Sequence, residues 1–378
     1  MQIVLKPGVL VVLAALVLLA GCTTPRMKSP DISQADAAAE AEKQRELFAE
    51  RIMRDQSRLW RVGYPLQAEG AELCGEALRP SLGMRTLARQ YLDGDKGATV
   101  ARLLKLSDRP QVVQIAPGSP AESAGIEVGD LLLEVGDEAV KSGRDADSLA
   151  SLLERTLVPG QSVTLKLRRG TETVYANPVP REICAYNLVL NDEDKVNAYA
   201  DGESVIITRG MMRFAESDQH LAVVIGHEMA HNALEHSDAK QGNAVAAGAG
   251  GLLLDIGLAI LGVNTGGAFM KAAAKAGAAS YSVEFEQEAD MVGLYFMARA
   301  GYELEGAADI WRLMAAERPE AITHRGSHPT TPERFLALEQ VVEEIKGKRT
   351  AGLALVPEVV PDPGGPDENT FLESAYPD

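Results

Sequence analysis

Residues 220–236 read His-Leu-Ala-Val-Val-Ile-Gly-His-Glu-Met-Ala-His-Asn-Ala-Leu-Glu-His and contain the pattern H-E-x-x-H at His227, Glu228 and His231. Two histidines four apart on a helix share a face, with Cβ atoms about 6 Å apart, so both imidazoles reach one metal ion. Glu228 stands one position round from His227, where its carboxylate reaches a water on that metal without ligating it. A catalytic zinc takes three protein ligands and keeps one position open, so a third donor is required. Residues 282–293, Ser-Val-Glu-Phe-Glu-Gln-Glu-Ala-Asp-Met-Val-Gly, set several carboxylates in an apolar helix, an arrangement that is costly unless the charges are compensated. Glu286 and Asp290 are four apart there, which makes Glu286 the expected third ligand and Asp290 the acceptor for the distal N–H of a ligand histidine. Glu284 competes for the ligand position, but only Glu288 stands four residues beyond it to give the same support.

Such a site requires a buried frame. The chain has 378 residues, 46% of them hydrophobic and 24% charged, enough apolar side chain for two to three domains with real cores, which excludes wholesale disorder. With 37 Lys and Arg against 54 Asp and Glu the formal charge is −17, so a surface that tracks nucleic-acid phosphates is excluded and no nucleic-acid partner is expected. Three cysteines exclude a disulfide-dense scaffold and a four-cysteine metal site.

Residues 1–21 hold Lys6, an apolar run over 9–20 and Gly21 before Cys22, the layout of a secretory signal and too short for a comfortable span of about 20 residues. Leu19-Ala20-Gly21-Cys22 resembles a bacterial lipobox, which implies cleavage before Cys22 and its acylation. Thr23 favours the outer membrane, facing the periplasm, and the lipidated Cys22 gives a bacterial membrane as one partner. Cys74 and Cys184 are then left in an oxidising compartment, and a Cys74–Cys184 disulfide is expected.

Along the chain, 22–58 read as a tether followed by a helix over 35–58 with Leu47, Phe48, Ile52 and Met53 on one stripe. Residues 66–78 and 82–92 read as short helical pieces. From 96 to 180 the pattern turns to strands at 112–115, 131–135, 162–168 and 173–176, with helices at 119–124 and 146–157 and a hairpin turn at Arg169-Gly170. The string 118–130, Gly-Ser-Pro-Ala-Glu-Ser-Ala-Gly-Ile-Glu-Val-Gly-Asp, resembles a PDZ domain of the bacterial envelope-protease type. That likeness implies an extended peptide added as a strand, with Gly97-Ala98-Thr99-Val100 as the candidate loop for its terminal carboxylate. Residues 244–280, rich in Ala, Gly, Leu and Ile with Asp255 and Lys271 inside, suit core or lid helices, bilayer-surface contact or a spanning hairpin. Residues 347–378 read as a disordered acidic Pro/Gly tail.

H-E-x-x-H, then E-x-E-A-D-x-x-G at 286–293, then His328-Pro329 and Arg334 closely resemble the HtpX/BepA-like zinc metallopeptidase family, a gluzincin family; Val196-Asn197-Ala198-Tyr199 and the strand 205–208 resemble the strand before its catalytic helix. Val283 stands where relatives commonly carry Arg. The resemblance covers 59–95 and 181–346 and implies an α+β fold: a mainly helical zinc metallopeptidase domain with a small β-sheet, interrupted by the PDZ-like, β-rich insertion. It implies one Zn²⁺ per chain on His227, His231 and Glu286, and peptide hydrolysis with Glu228 as general base. His328 or Arg334 would stabilise the oxyanion, or His328 would cap the zinc at rest. His220, His236 and His324 read as structural or solvent-facing. The expected partners are protein or peptide substrates, misfolded or stalled envelope proteins among them; the competing reading is a PDZ adaptor or chaperone-like lipoprotein with a latent zinc site.

Overall fold

The computed structural model describes residues 30–142, 147–239, 282–317 and 332–358, with Met27 and a few isolated positions between 240 and 281. Contacts divide the chain into two units, Met1–Leu47 and Phe48–Asp378. Helix α1 (Gln34–Glu69) begins in the first, where the Ser33 hydroxyl accepts the Asp36 amide (3.0 Å) and so caps its start. It runs past residue 58 because Leu59, Val62 and Leu66 extend the helical apolar spacing, and all three are buried in the second unit. Of the predicted stripe, Leu47 is exposed, whereas Phe48 lies beneath Lys96 and Arg209.

The second unit continues with β1 (Leu78–Ser81), β2 (Met84–Leu87), α2 (Gly94–Leu103), β3 (Gln111–Ile115), α3 (Pro120–Ser123), β4 (Leu131–Val135), β5 (Glu138–Ala139), α4 (Asp147–Thr156), β6 (Leu165–Arg169) and β7 (Glu172–Ala176). Strands β8 (Arg181–Cys184), β9 (Asn187–Asn191), β10 (Ala198–Ala200) and β11 (Ser204–Thr208) follow, then helices α5 (Arg209–Phe214), α6 (Asp218–Ala233), α7 (Ser282–Arg299), α8 (Asp309–Glu317) and α9 (Pro332–Ala351). One antiparallel sheet runs β2-β3-β4-β6-β7 with β5 beside β4. Its alternating inward residues, Val112, Leu132, Leu165 and Leu167 among them, form a core of their own. A second core joins α1, α6, α7 and α9 to the sheet β10-β11-β9.

Of the helical pieces expected at 66–78 and 82–92, the first is the end of α1 and a 3₁₀ turn at Ala71–Cys74, with β1 starting only at Leu78, whereas the second holds β2 and a single 3₁₀ turn at Arg89–Tyr91. Gly83, at φ +69°, does not suit a helix, and Met84–Leu87 pairs with β3, while Leu78–Ser81 pairs with β8. The six-stranded sheet therefore begins ahead of residue 96. By the same shift, Gly97, Ala98, Thr99 and Val100 fall within α2, where backbone amides serve the helix and form no carboxylate loop. The chain past 347 also departs from the expected tail: α9 continues to Ala351 because Lys348 donates to Tyr295 Oη (2.7 Å) and to the Val356 carbonyl (2.8 Å), while Leu355 and Val356 pack on the second core. Cys74 and Cys184 are joined in a disulfide, with Cα atoms 5.7 Å apart. No helix among the described residues is long and apolar enough to cross a membrane, and 244–280 lies almost wholly outside them.

Candidate metal centre

Helix α6 starts at Ser217, whose hydroxyl accepts the His220 amide (3.0 Å), and is buried at every residue from Leu221 to Asn232. Its polar end is tied to the sheet by Asn232, which donates to the Ser204 carbonyl (3.0 Å) and accepts from the Gly202 amide (2.7 Å). Helix α7 crosses α6 at two glycines. A Cβ on Gly226 would stand 2.8 Å from the Gly293 carbonyl oxygen, and one on Gly293 2.9 Å from the His227 amide nitrogen. Only bare backbone fits at this crossing, and the close approach brings Glu286 and Asp290 against His227. Gly226→Ala is therefore expected to push backbone from backbone, costing about 1–3 kcal/mol of stability, and to lower metal content on purification. A variant as stable and metal-rich as wild type would separate the crossing from the site.

His227, His231 and Glu286 each offer a ligand atom within 4.8 Å of the others, and all three are buried. Nε2 of His227 lies 3.3 Å from Glu286 Oε2, Nε2 of His231 lies 3.3 Å from Glu286 Oε1, and the two Nε2 atoms are 3.1 Å apart. Tetrahedral zinc ligands at about 2.0–2.1 Å stand about 3.3 Å from one another, so the donor set fits that ion. The carboxylate is wholly buried among imidazole nitrogens, a setting that a dication makes favourable and that would otherwise be costly. Glu284 is exposed, which leaves Glu286 as the donor.

Each ligand imidazole is backed by an acceptor. Nδ1 of His227 stands 3.0 Å from Asp290 Oδ1. Burial alone would lower the His227 pKa, but Asp290 and Glu286 outweigh it and raise it to about 9. Asp290 in turn is clasped by Arg334, whose Nε and Nη2 donate at 2.7 and 2.8 Å, with Nη1 3.4 Å from Glu286 Oε2. Burial alone would raise the Asp290 carboxyl; Arg334 and His227 outweigh it and hold it below the ordinary aspartate range. Arg334 is thus buried behind the ligands, engaged with two carboxylates, a place that differs from the expected oxyanion contact. Trp311 of α8 packs on both His227 and Arg334. Glu228 is 2% exposed, next to the ligand helix face yet outside the ligand triad. His328 and Cys22 lie outside the described residues, as does His324.

His236, expected to be structural or solvent-facing, is the buried partner of a ligand histidine. Glu235, at φ +52°, turns the chain back at the end of α6. His236 is thereby buried, with Nδ1 2.9 Å from His231 Nδ1 and Nε2 3.1 Å from Glu288 Oε2. Glu288 accepts from His236 Nε2–H, so His236 Nδ1 accepts from His231 Nδ1–H, and the His231 Nε2 lone pair is left for metal. The sequence signal was the five-residue spacing from His231 together with the carboxylate of Glu288. His236→Phe keeps a ring against Phe285 but accepts no proton; it is expected to weaken zinc about 10–100-fold in chelator competition. Unchanged affinity would leave His231 oriented by packing alone.

The other missed element precedes β2. The loop for a peptide carboxylate was sought before the strand at 111–115, but β2 is the first strand of that sheet, and the turn before it reads Ser81-Leu82-Gly83-Met84. A Cβ on Gly83 would stand 2.2 Å from Ser119 Cβ, so glycine is required there. An apolar-Gly-apolar string was the available signal, hidden because the stretch was read as helical.

Two imidazoles and a carboxylate on crossing helices, with a spare glutamate beside the first histidine, define a metallopeptidase-type centre joined to a PDZ-type sheet. Residues 167–342 match Peptidase family M48 and residues 111–169 match the PDZ domain. The mitochondrial metalloendopeptidase OMA1 of Schizosaccharomyces pombe is 26% identical over 152 residues, 39% of this chain and 44% of that protein. The putative beta-barrel assembly-enhancing protease of Vibrio cholerae is 27% identical over 203 residues, 46% of this chain and 42% of that protein. The chain thus spans less than half the length of either relative. Among solved structures, the HtrA3 PDZ domain bound to a phage-derived ligand covers 28% of this chain and 88% of its own at 19% identity, with a TM-score of 0.21.

Proposed function

We propose that the chain is a zinc-dependent endopeptidase, anchored through lipidated Cys22 at the outer membrane facing the periplasm, that hydrolyses misfolded or envelope proteins engaged by its PDZ module. The observation that carries this reading is a buried Glu228 beside, and not among, three converging ligands. When bound, zinc supplies a Lewis acid to the scissile carbonyl. His227, His231 and Glu286 hold it, while Asp290 and His236 fix which imidazole nitrogen faces it. Glu228 takes a proton from the attacking water at its carboxylate and passes it to the leaving amine nitrogen. Strand β10 pairs only with β11 among the described residues, and Asn232 anchors the turn that joins them, so its outer edge suits an extended substrate backbone.

The reading is tested by measuring zinc content and casein cleavage of the purified chain from residue 23 onward, with and without a chelator. One zinc per chain and chelator-sensitive cleavage are expected; stoichiometric zinc without cleavage would favour an adaptor. Anchoring is tested separately, by transfer of the protein from membrane to soluble fraction in Cys22→Ser.

A further inference from the structure

The six-stranded sheet ends at β2, and no strand among the described residues pairs with its outer edge. A cleft of about 450 Å³ opens there. Met84 and Thr86 of β2, with Leu153 and Leu157 at the end of α4, line one side. The other side comes from the peptidase half: Trp60 of α1, and Leu188 and Val189 of β9, itself the last strand of its sheet. The cleft is therefore apolar on both walls and bordered by an unpaired strand edge, a geometry that accepts an extended chain.

Two guanidinium groups also line it. Arg79 donates to Asn187 Oδ1 (3.0 Å) and the Tyr186 carbonyl (3.4 Å). Arg85 donates to Gln114 Oε1 (3.2 Å) and lies 5.8 Å from the centre of the Trp60 ring. Neither meets a carboxylate among the described residues, although the chain carries 54 acidic against 37 basic side chains. Burial holds both guanidinium groups below the ordinary arginine range, with no acidic neighbour to offset it. Each keeps N–H donors beyond the bonds named. Trp60, 9% exposed, adds an indole N–H with no acceptor among the described residues.

The added strand beside β2 and α4 is what a PDZ sheet is expected to take; we infer that this cleft selects, among such extended segments of a substrate protein, those that carry acidic side chains, their carboxylates taken by Arg79 and Arg85. Side chains of an added strand alternate, so one set meets the apolar wall while the other reaches the guanidinium groups. Selection then depends on the peptidase half as much as on the PDZ sheet, because Trp60, Leu188 and Val189 close the cleft. The inference deepens the proposed function by naming the class of segment engaged, and it rests on that reading only for the word substrate.

The test reads binding and not hydrolysis, so its failure leaves the peptidase reading standing, and loss of the peptidase reading leaves the binding result interpretable. Full-length chain carrying Glu228→Gln is titrated into fluorescein-labelled, C-terminally amidated decapeptides that differ only at two alternate positions, which hold Glu, Gln or Lys. The Glu peptide is expected to bind about tenfold tighter than the Gln peptide, and the Lys peptide more weakly than both. Arg79→Gln with Arg85→Gln should bring the Glu/Gln ratio below about twofold, with thermal unfolding showing a folded chain, and Arg79→Lys with Arg85→Lys should keep part of it. Equal binding of the three peptides, no binding by any, or a preference that survives the Gln pair would overturn the assignment. So would a Glu preference seen only when the peptide has a free C-terminus.

Discussion

Glu228→Gln is expected to keep one zinc per chain while peptide hydrolysis falls by about 10²–10⁴-fold, the usual contribution of a positioned general base. The substitution preserves volume, which matters because Glu228 is 2% exposed in a helix buried over its middle three turns. His227, His231 and Glu286 keep their positions, so the donor set that fits zinc is unchanged. What changes is proton affinity: an amide oxygen does not carry the water's proton to the leaving nitrogen. Glu286→Gln is the contrasting variant, because it alters a ligand with two contacts of 3.3 Å to imidazole nitrogens and should lose metal and activity together. Metal analysis beside casein turnover separates the two. Wild-type turnover in Glu228→Gln would remove this residue from the mechanism, and metal loss from it would make the glutamate a structural part of the centre.

Much of the centre was legible because helical spacing is a geometric fact that survives any tertiary arrangement. The four-residue separations His227–His231 and Glu286–Asp290 each fix one shared face, and the structure sets those faces against each other. Exposure settles what spacing left open, since Glu284 points to solvent while Glu286 is buried. The PDZ strands from 111 onward were legible for a similar reason: Gly136 and Gly170 sit in tight turns at positive φ, between runs with a period of two. What stayed hidden depends on contacts between distant segments. Met84–Leu87 reads equally as helix or strand until β3 pairs with it, and that ambiguity displaced the carboxylate loop onto residues that fold as α2. His236 is five residues from His231, an unhelpful spacing on a helix, and reaches it only because the chain reverses at Glu235. The Gly226–Gly293 contact is 67 residues removed in sequence, so nothing local announces it.

Arg334→Ala should be the most damaging single change to stability at the centre. Its guanidinium binds both Asp290 oxygens and stands 3.4 Å from Glu286, and all three side chains are nearly inaccessible to water. Removing it leaves two buried carboxylates facing one another across an emptied space, and orphaning one partner of a buried ion pair costs about 3–5 kcal/mol. Urea unfolding at neutral pH should show a loss of that size. The double variant Arg334→Met with Asp290→Leu should recover most of it, because the penalty belongs to the uncompensated charge and apolar residues of similar volume carry none. Zinc affinity should not recover in the double variant: His227 Nδ1–H then has no carboxylate to hold its ring, and a loss of about 10–100-fold is expected in chelator competition. Stability and metal affinity are thereby separated at one pair of residues. An Arg334→Ala protein within about 1 kcal/mol of wild type would mean that water reaches Asp290 freely and that the clasp carries no net stabilisation.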